Sequence, residues 1–362
     1  MSPVLFCIGD PLLDIQVSEG AEELLAKYHL KPNDAVRATS DHAPLYEEVH
    51  CLNPTLVAGG AAQNTARASA YILPPGSVVY TGCVGNDGFA EVLRAANERE
   101  GVLTVYNVHP TQRTGACAVI LTLTSRLHAR SLVTTLRAAG KFDIAHLTSP
   151  EVVPLVNGAR YFYTTGFFLT NGVDSVLQLA KNACANSHVF ALNFSAPFIP
   201  RLHFDKFERV LPYCDVVFGN DSDALAWAET AGLAPTTPLE AVAEHVARLP
   251  LVQAEKPRVV VLTRGSRPTV LAVGTSPART FPVDPVPEAE IVDTNGAGDA
   301  FAGGFMAALI LGRALEECVA VGHRMGAMNV KHVGMNMLTP LHELLTAYPS
   351  TVCIARDDEA FA

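Results

Sequence analysis

Short apolar runs rich in β-branched and aromatic residues recur along this chain with room for a helix between them, and that alternation restricts the fold more than any other feature. The runs occupy 4–8, 78–81, 161–164, 189–193, 216–218 and 259–263. Patterns with helical spacing lie at 64–71, 89–100, 174–185, 222–231 and 239–249. Parallel strands need crossovers of this kind, whereas antiparallel neighbours do not. The expected fold class is therefore α/β, a doubly wound and mainly parallel sheet flanked by helices on both faces.

In such sheets ligands bind beyond the carboxyl ends of the strands. The polar and glycine residues that close the runs are then the first candidates for a site: Asp10 and Asp14, Gly82, Gly166, Asn193, Gly219 with Asn220, and Thr263 with Gly265. Two regions break the alternation, about 15–57 and the pair 116–123 and 130–136. The second reads as two strands joined by a polar connection, which suits a small antiparallel layer acting as a lid over the sheet edge.

Residues 291–304, IVDTNGAGDAFAGG, place small residues and a carboxylate at the start of an apolar helix. Gly296, Ala297 and Gly298 are small enough for consecutive backbone N–H groups to face one ligand, and a helix N-terminus adds partial positive charge. That makes an anion hole, with Asp299 beside it as a candidate general base. Phe301 stands where GxGxxG needs its third glycine, and no GxxxxGKS or GxxxxGKT occurs, so neither a dinucleotide fingerprint nor a P-loop is present.

With 26 Lys and Arg against 36 Asp and Glu, the formal charge is −10. A broad nucleic-acid-binding face is excluded by that balance, so a phosphate site must be local. The 8 cysteines form no CxxC pair and read as thiols of a reducing compartment. No run reaches 18 apolar residues, and 4–8 is too short for a signal sequence, so a soluble intracellular chain is expected, cytoplasmic with nuclear residence left open.

DTNGAGDAFAGGF resembles the signature of the ribokinase-like carbohydrate and nucleoside kinases. Further segments, GDPLLDI, AGGAAQNTARASAY, TGCVGNDGF, ARSLV, GFFLT and LNFSAPFIP, are similar to those of the adenosine kinases, the fungal ones more than the mammalian. The resemblance runs from about 4 to 330. It implies a ribokinase-like fold with a large domain of 1–14, 58–112 and 141–345, a discontinuous lid of 15–57 and 113–140, and a tail of 346–362. It also implies Mg²⁺, ATP and adenosine as the reacting partners. The charge and the short apolar runs add the expectation of a protein that binds neither nucleic acid nor membrane, and a monomer is expected.

Carried over position by position, the resemblance makes Asp299 the base, Gly296, Ala297 and Gly298 the anion hole, and Arg130 the lid arginine that closes on the phosphates. Asp14 matches the carboxylate holding the ribose diol. Asp10, Gly59, Gly60 and Asn64 adjoin the sugar, and Leu132 and Phe168 match the apolar walls around the base. For ATP, the matching positions are Asn193, Asn220, Thr263 and Gly265 near phosphate or ribose, with Ile291 and His323 near adenine. Asp223 stands where the family's NxxE motif has Glu, one methylene shorter, and Mg²⁺ contact there would run through water.

Several departures gather on the acceptor side. Asp10 replaces an Asn, Arg37 replaces an apolar residue, and Thr135, Arg137 and Gly140 differ in the lid. A pairing of Arg37 with Asp10 is one expectation that follows. Two alternatives to adenosine phosphorylation stay open at this stage: a related nucleoside or sugar kinase with a changed acceptor, and a weakly catalytic nucleoside-binding protein.

Overall fold

The computed structural model describes residues 3–32, 35–124 and 127–335, with the backbone alone over 123, 124 and 127–130. Its larger sheet has nine strands in the spatial order Arg279–Phe281, Arg267–Val273, Val259–Arg264, Val216–Asn220, Val189–Asn193, Tyr161–Thr165, Leu5–Ile8, Val78–Thr81 and Val102–Thr104. All neighbours run parallel except Arg267–Val273, antiparallel to both its partners at one edge. All six runs read from the sequence are strands of this sheet.

Both faces are covered, as continuous apolar strands require. Leu5, Cys7, Tyr163, Ala191, Val216 and Phe218 point to a core shared with the helices Ala61–Ile72, Gly88–Arg99, Ala297–Ile310 and Leu315–Asn329. Phe6, Ile8, Phe162, Phe190, Val217 and Val260 point to the other core, closed by Gly166–Ala185, Asp221–Thr230 and Leu239–Ala247. The alternation of these residues along each strand is the two-residue period of a sheet.

A second sheet has five strands in the order Ala35–Arg37, Leu127–Thr135, Gly115–Thr124, Leu12–Val17 and Thr55–Gly59. The hairpin Gly115–Thr124 with Leu127–Thr135 is antiparallel, but Leu12–Val17 runs parallel to Gly115–Thr124, and Ala35–Arg37 parallel to Leu127–Thr135. The small layer is therefore mixed rather than antiparallel. Its parallel pairs join segments far apart in the sequence, with helices and strands of the large domain between them.

The lid boundaries expected at 14/15 and 57/58 fall inside the strands Leu12–Val17 and Thr55–Gly59, because both join the small sheet before and after those points. The expected tail 346–362 lies outside the described residues. Ile15, Val17, Ala116, Ala118, Ile120 and Val133 bury one face of the small sheet under its two helices. Period-two alternation then turns Asp14 to the opposite face.

Candidate active site

At the start of Ala297–Ile310, Gly296 takes φ +76° as the N-cap, a left-handed conformation that glycine adopts without strain. The preceding turn is fixed by Asp293, which accepts from Asn295 N at 2.9 Å and Gly334 N at 3.2 Å, and by Asn329 Nδ2 donating to Asn295 O at 2.7 Å. Ala297 and Gly298 then open the first turn, where a helix leaves its N–H groups without intrahelical partners. Of the amides expected to form the anion hole, that of Ala297 donates to the Thr294 carbonyl oxygen at 3.4 Å.

Asp299, one residue on, is half-buried, and Asn64 Nδ2 donates to its Oδ2 at 3.0 Å. Burial pushes its carboxyl up to about 7 and the charge of Asp14 adds to the rise, while the Asn64 bond opposes it. A carboxylate with an ordinary value would be a weak base; one near 7 is matched to neutral pH.

Asp14 is 8% exposed and approaches the Gly59 backbone so closely that a Cβ there would meet its Oδ1 at 2.6 Å. Gly60, at φ +92°, would put a Cβ at 2.4 Å from the Asp10 carbonyl oxygen. These glycines thus seat the two acidic residues of the acceptor side, a more local reason than the approach of backbone to a sugar. Gly59→Ala is expected to displace the Asp14 carboxylate and lower kcat/KM for the acceptor by roughly ten- to a hundredfold, mostly through KM. Steady-state kinetics would test this, and an unchanged KM would contradict it.

Asp10 is 6% exposed, with Asn171 Nδ2 at 3.4 Å from Oδ1 and no partner for Oδ2 among the described residues. Burial lifts it to about 7, the Asn171 bond lowers it, and the charge of Arg37 lowers it further. Arg37 is exposed and no ion pair joins the two among the described residues, so the expected pairing acts only through the longer-range field.

With its folded value near 7 and its unfolded value near 3.8, Asp10 costs stability as pH rises through that window, and the cost is complete above about 7. Asp10→Asn removes the ionisation. The variant is expected to exceed the parent by about 2–4 kcal/mol at pH 8 and by little at pH 4, as read from denaturant midpoints. A margin independent of pH would contradict it.

The remaining candidates line one cleft of about 530 Å³: Asn193, Asn220, Asp223, Thr263, Gly265, Ile291 and His323, together with Ala297, Gly298 and Asp299. The first four polar positions sit at or after the carboxyl ends of neighbouring parallel strands, as the fold class requires. No Lys or Arg lines this cleft among the described residues. His323 is held by a 2.8 Å contact between its Nε2 and Thr269 Oγ1, and burial lowers its pKa, so it faces the cleft as neutral imidazole.

Asn220 and Asp223 form a reciprocal cap on Asp221–Thr230: Asp223 N donates to Asn220 Oδ1 at 2.9 Å, and Asn220 N to Asp223 Oδ2 at 3.1 Å. That leaves Asp223 Oδ1 buried and without a partner among the described residues, and burial raises the carboxyl to about 6.

The residues expected at the acceptor base and in the lid, Phe168, Leu132 and Arg130, are not among those lining the cleft. Phe168 is fully buried, edge-on to Phe142 at 5.6 Å between ring centroids, and belongs to the core under Gly166–Ala185. Its neighbour Phe167 lines the cleft. Leu132 is half-buried on Leu127–Thr135. The backbone of Arg130 lies opposite Leu121 on that strand, and its side chain is outside the described residues.

Sequence reasoning missed Asn171, Asp293, Asn329 and Thr269. Asp293 was nevertheless legible as the acidic residue opening an Asx-type turn before NGAG.

The sequence matches the pfkB family carbohydrate kinases over residues 22–340. It is 50% identical to the adenosine kinase of Schizophyllum commune over 344 residues, 94% of this chain and 98% of that protein. Identity to the Saccharomyces cerevisiae adenosine kinase is 45% over 340 residues, 92% of this chain and 96% of that one.

The fold superposes on Anopheles gambiae adenosine kinase in complex with P1,P4-di(adenosine-5) tetraphosphate with a TM-score of 0.86 at 36% identity, covering 92% and 97% of the two chains. With Schistosoma mansoni adenosine kinase in complex with adenosine and AMP the TM-score is 0.85 at 31% identity, covering 94% and 99%.

Proposed function

Because this chain belongs to the pfkB family of carbohydrate kinases, and within it to the adenosine kinases, we propose that it transfers the γ-phosphoryl group of ATP to the 5′-hydroxyl of adenosine, giving AMP and ADP. It is an ATP-dependent nucleoside kinase acting in purine salvage. The observation that carries the reading to residues is the convergence on Asp299. A carboxyl lifted to about 7, a first-turn glycine loop, the Asn64 amide and the diol-binding candidate Asp14 meet there, at one end of the 530 Å³ cleft.

In this reading ATP lies along the cleft, with its adenine toward Ile291 and His323, its ribose and phosphates along Asn193, Asn220, Thr263 and Gly265, and its γ-phosphoryl at Gly296, Ala297 and Gly298. The acceptor diol is held by Asp14, with Gly59, Gly60 and Asp10 behind it, and the 5′-hydroxyl meets Asp299. Asp299 takes the hydroxyl proton as the P–O bond to the leaving ADP lengthens. Phosphoryl transfer is loose, so positioning and charge stabilisation carry most of the acceleration. The first-turn amides face the three equatorial oxygens, where charge grows.

The residues present fit Mg²⁺ held chiefly by nucleotide oxygens and water. Among the described residues no group of three or more His, Cys, Asp or Glu could hold a metal alone, but Asp223 lines the cleft, its buried Oδ1 without a partner among the described residues, and would serve as one outer contact. When bound, Mg²⁺ would neutralise phosphate charge that no Lys or Arg lining the cleft among the described residues offsets. The lid reading assigns the small sheet to closure over the acceptor, with Leu132 against the base and Arg130 reaching the phosphates.

An acceptor panel tests the reading. Adenosine, inosine, guanosine, ribose and fructose are each incubated with Mg²⁺ and ATP, and ADP is measured. Adenosine should give the highest kcat/KM; turnover confined to another acceptor, or none, would overturn it.

A further inference from the structure

A cavity of about 310 Å³ lies where the small sheet meets the return to the large one, lined by Arg37, Gln112, Thr134, Thr135, Arg137 and Lys141 among others. No carboxylate lines it, and none of its three cations has an ion pair among the described residues. In a chain of formal charge −10 that gathering is unlike the surroundings. Like charges sharing a small cavity repel unless an anion joins them.

Arg137 bears the clearest mark. It is half-buried, with backbone φ +45°, a conformation costly for a residue with a side chain, and its guanidinium rests 5.1 Å over the Tyr46 ring. The carboxylate whose charge it feels, Asp87, is already committed to Ala90 N at 3.1 Å, Thr114 N at 2.8 Å and Thr114 Oγ1 at 2.6 Å. Arg113 repels it. Its Nη1 donates to the Thr114 carbonyl oxygen at 3.4 Å, and the remaining N–H groups of the guanidinium fork can meet an incoming oxyanion.

The cavity adjoins the acceptor side of the cleft. Asn171 Nδ2 lies 3.4 Å from Asp10 Oδ1 and 3.0 Å from the carbonyl oxygen of Ala139, next to Gly140 in the cavity wall. Thr134 occupies the same face of its strand as Leu132. With a 5′-hydroxyl at Asp299 and a diol at Asp14, the far end of an acceptor is directed away from the phosphates, toward this junction.

We propose that the acceptor site continues into this cavity, and that the chain takes nucleosides whose base carries a carboxylate substituent at its outer edge, held by Arg37, Arg137 and Lys141. The inference rests on the nucleoside-kinase reading above. It deepens that reading by naming an acceptor class that unmodified adenosine does not exhaust.

The test compares kcat/KM for adenosine carrying a carboxymethyl group at N6 or at C2 with that for the uncharged carboxamide isostere at the same position. Adenosine itself is the reference. At low salt the charged acceptor is expected to be preferred by about tenfold or more at one of the two positions. The preference should shrink as salt is raised. Arg37→Gln combined with Lys141→Gln, both at exposed positions, should cut that ratio severalfold, with Arg137 holding the remainder.

Equal or inverted ratios at both positions, with adenosine still phosphorylated, would overturn the proposal and leave the adenosine kinase reading intact. So would a preference that the double substitution leaves undiminished. Failure to phosphorylate adenosine would instead strike at the kinase reading.

Discussion

Asp299→Asn is expected to lower kcat with adenosine by about 10²–10⁴-fold while leaving KM within a few-fold. The amide keeps the size of the carboxylate and can still meet Asn64, now bonded to Asp299 Oδ2 at 3.0 Å, but it takes no proton. With the base near 7, kcat/KM of the parent should fall on the acid side of that value, because protonation removes the acceptor of the hydroxyl proton. The residual activity of the variant should lose that limb. Stopped assays across pH 5–9, with folding checked by circular dichroism, would measure both. A variant within threefold of the parent would remove Asp299 from the reaction.

Removing divalent metal is the second large effect. ATP brings several negative charges into a cleft that includes Asp223 and Asp299 and, among the described residues, no Lys or Arg. The first-turn amides supply partial charge only. Chelation is therefore expected to reduce turnover by at least about 10³-fold, several kcal/mol of lost charge stabilisation, with full recovery when Mg²⁺ is added in excess. Asp223→Asn should raise the Mg²⁺ concentration giving half-maximal rate only a few-fold, because its contact would run through water. Full activity in excess chelator would mean that protein cations outside the described side chains carry the phosphate charge.

The alternation of apolar runs with helical spacing was sufficient to give six of the nine strands of the large sheet, since each of those six is buried on both faces and carries a continuous apolar signal. The small sheet was legible only as a hairpin. Its strand Ala35–Arg37 is short and mostly exposed, and parallel pairing between distant segments leaves no local trace. Helix Leu315–Asn329, which supplies His323, reads poorly because its sequence, LEECVAVGHRMGAMN, mixes small and polar residues with its apolar ones.

At the site, motifs gave the backbone loop and the acids but not their environment. Nothing local in GDPLLDI tells that Asp10 is buried, because its desolvation comes from residues brought in by the fold. Asn171 bridges two distant segments and belongs to no motif. GFFLT named an aromatic wall but not which ring faces outward. The structure packs Phe168 against Phe142 and sets Phe167 along the cleft, and two adjacent aromatics in a motif do not disclose that difference.

The central claim is that Asp299 and the loop before it direct the γ-phosphoryl of ATP onto the 5′-hydroxyl of adenosine. The direct measurement is transfer of label from γ-labelled ATP to adenosine in the presence of Mg²⁺, with parent and Asp299→Asn side by side and the product resolved by chromatography. The account predicts labelled 5′-AMP from the parent, one equivalent per ADP formed, and at most about a hundredth of that rate from the variant. ADP without labelled AMP, or equal labelling by the two proteins, would contradict it.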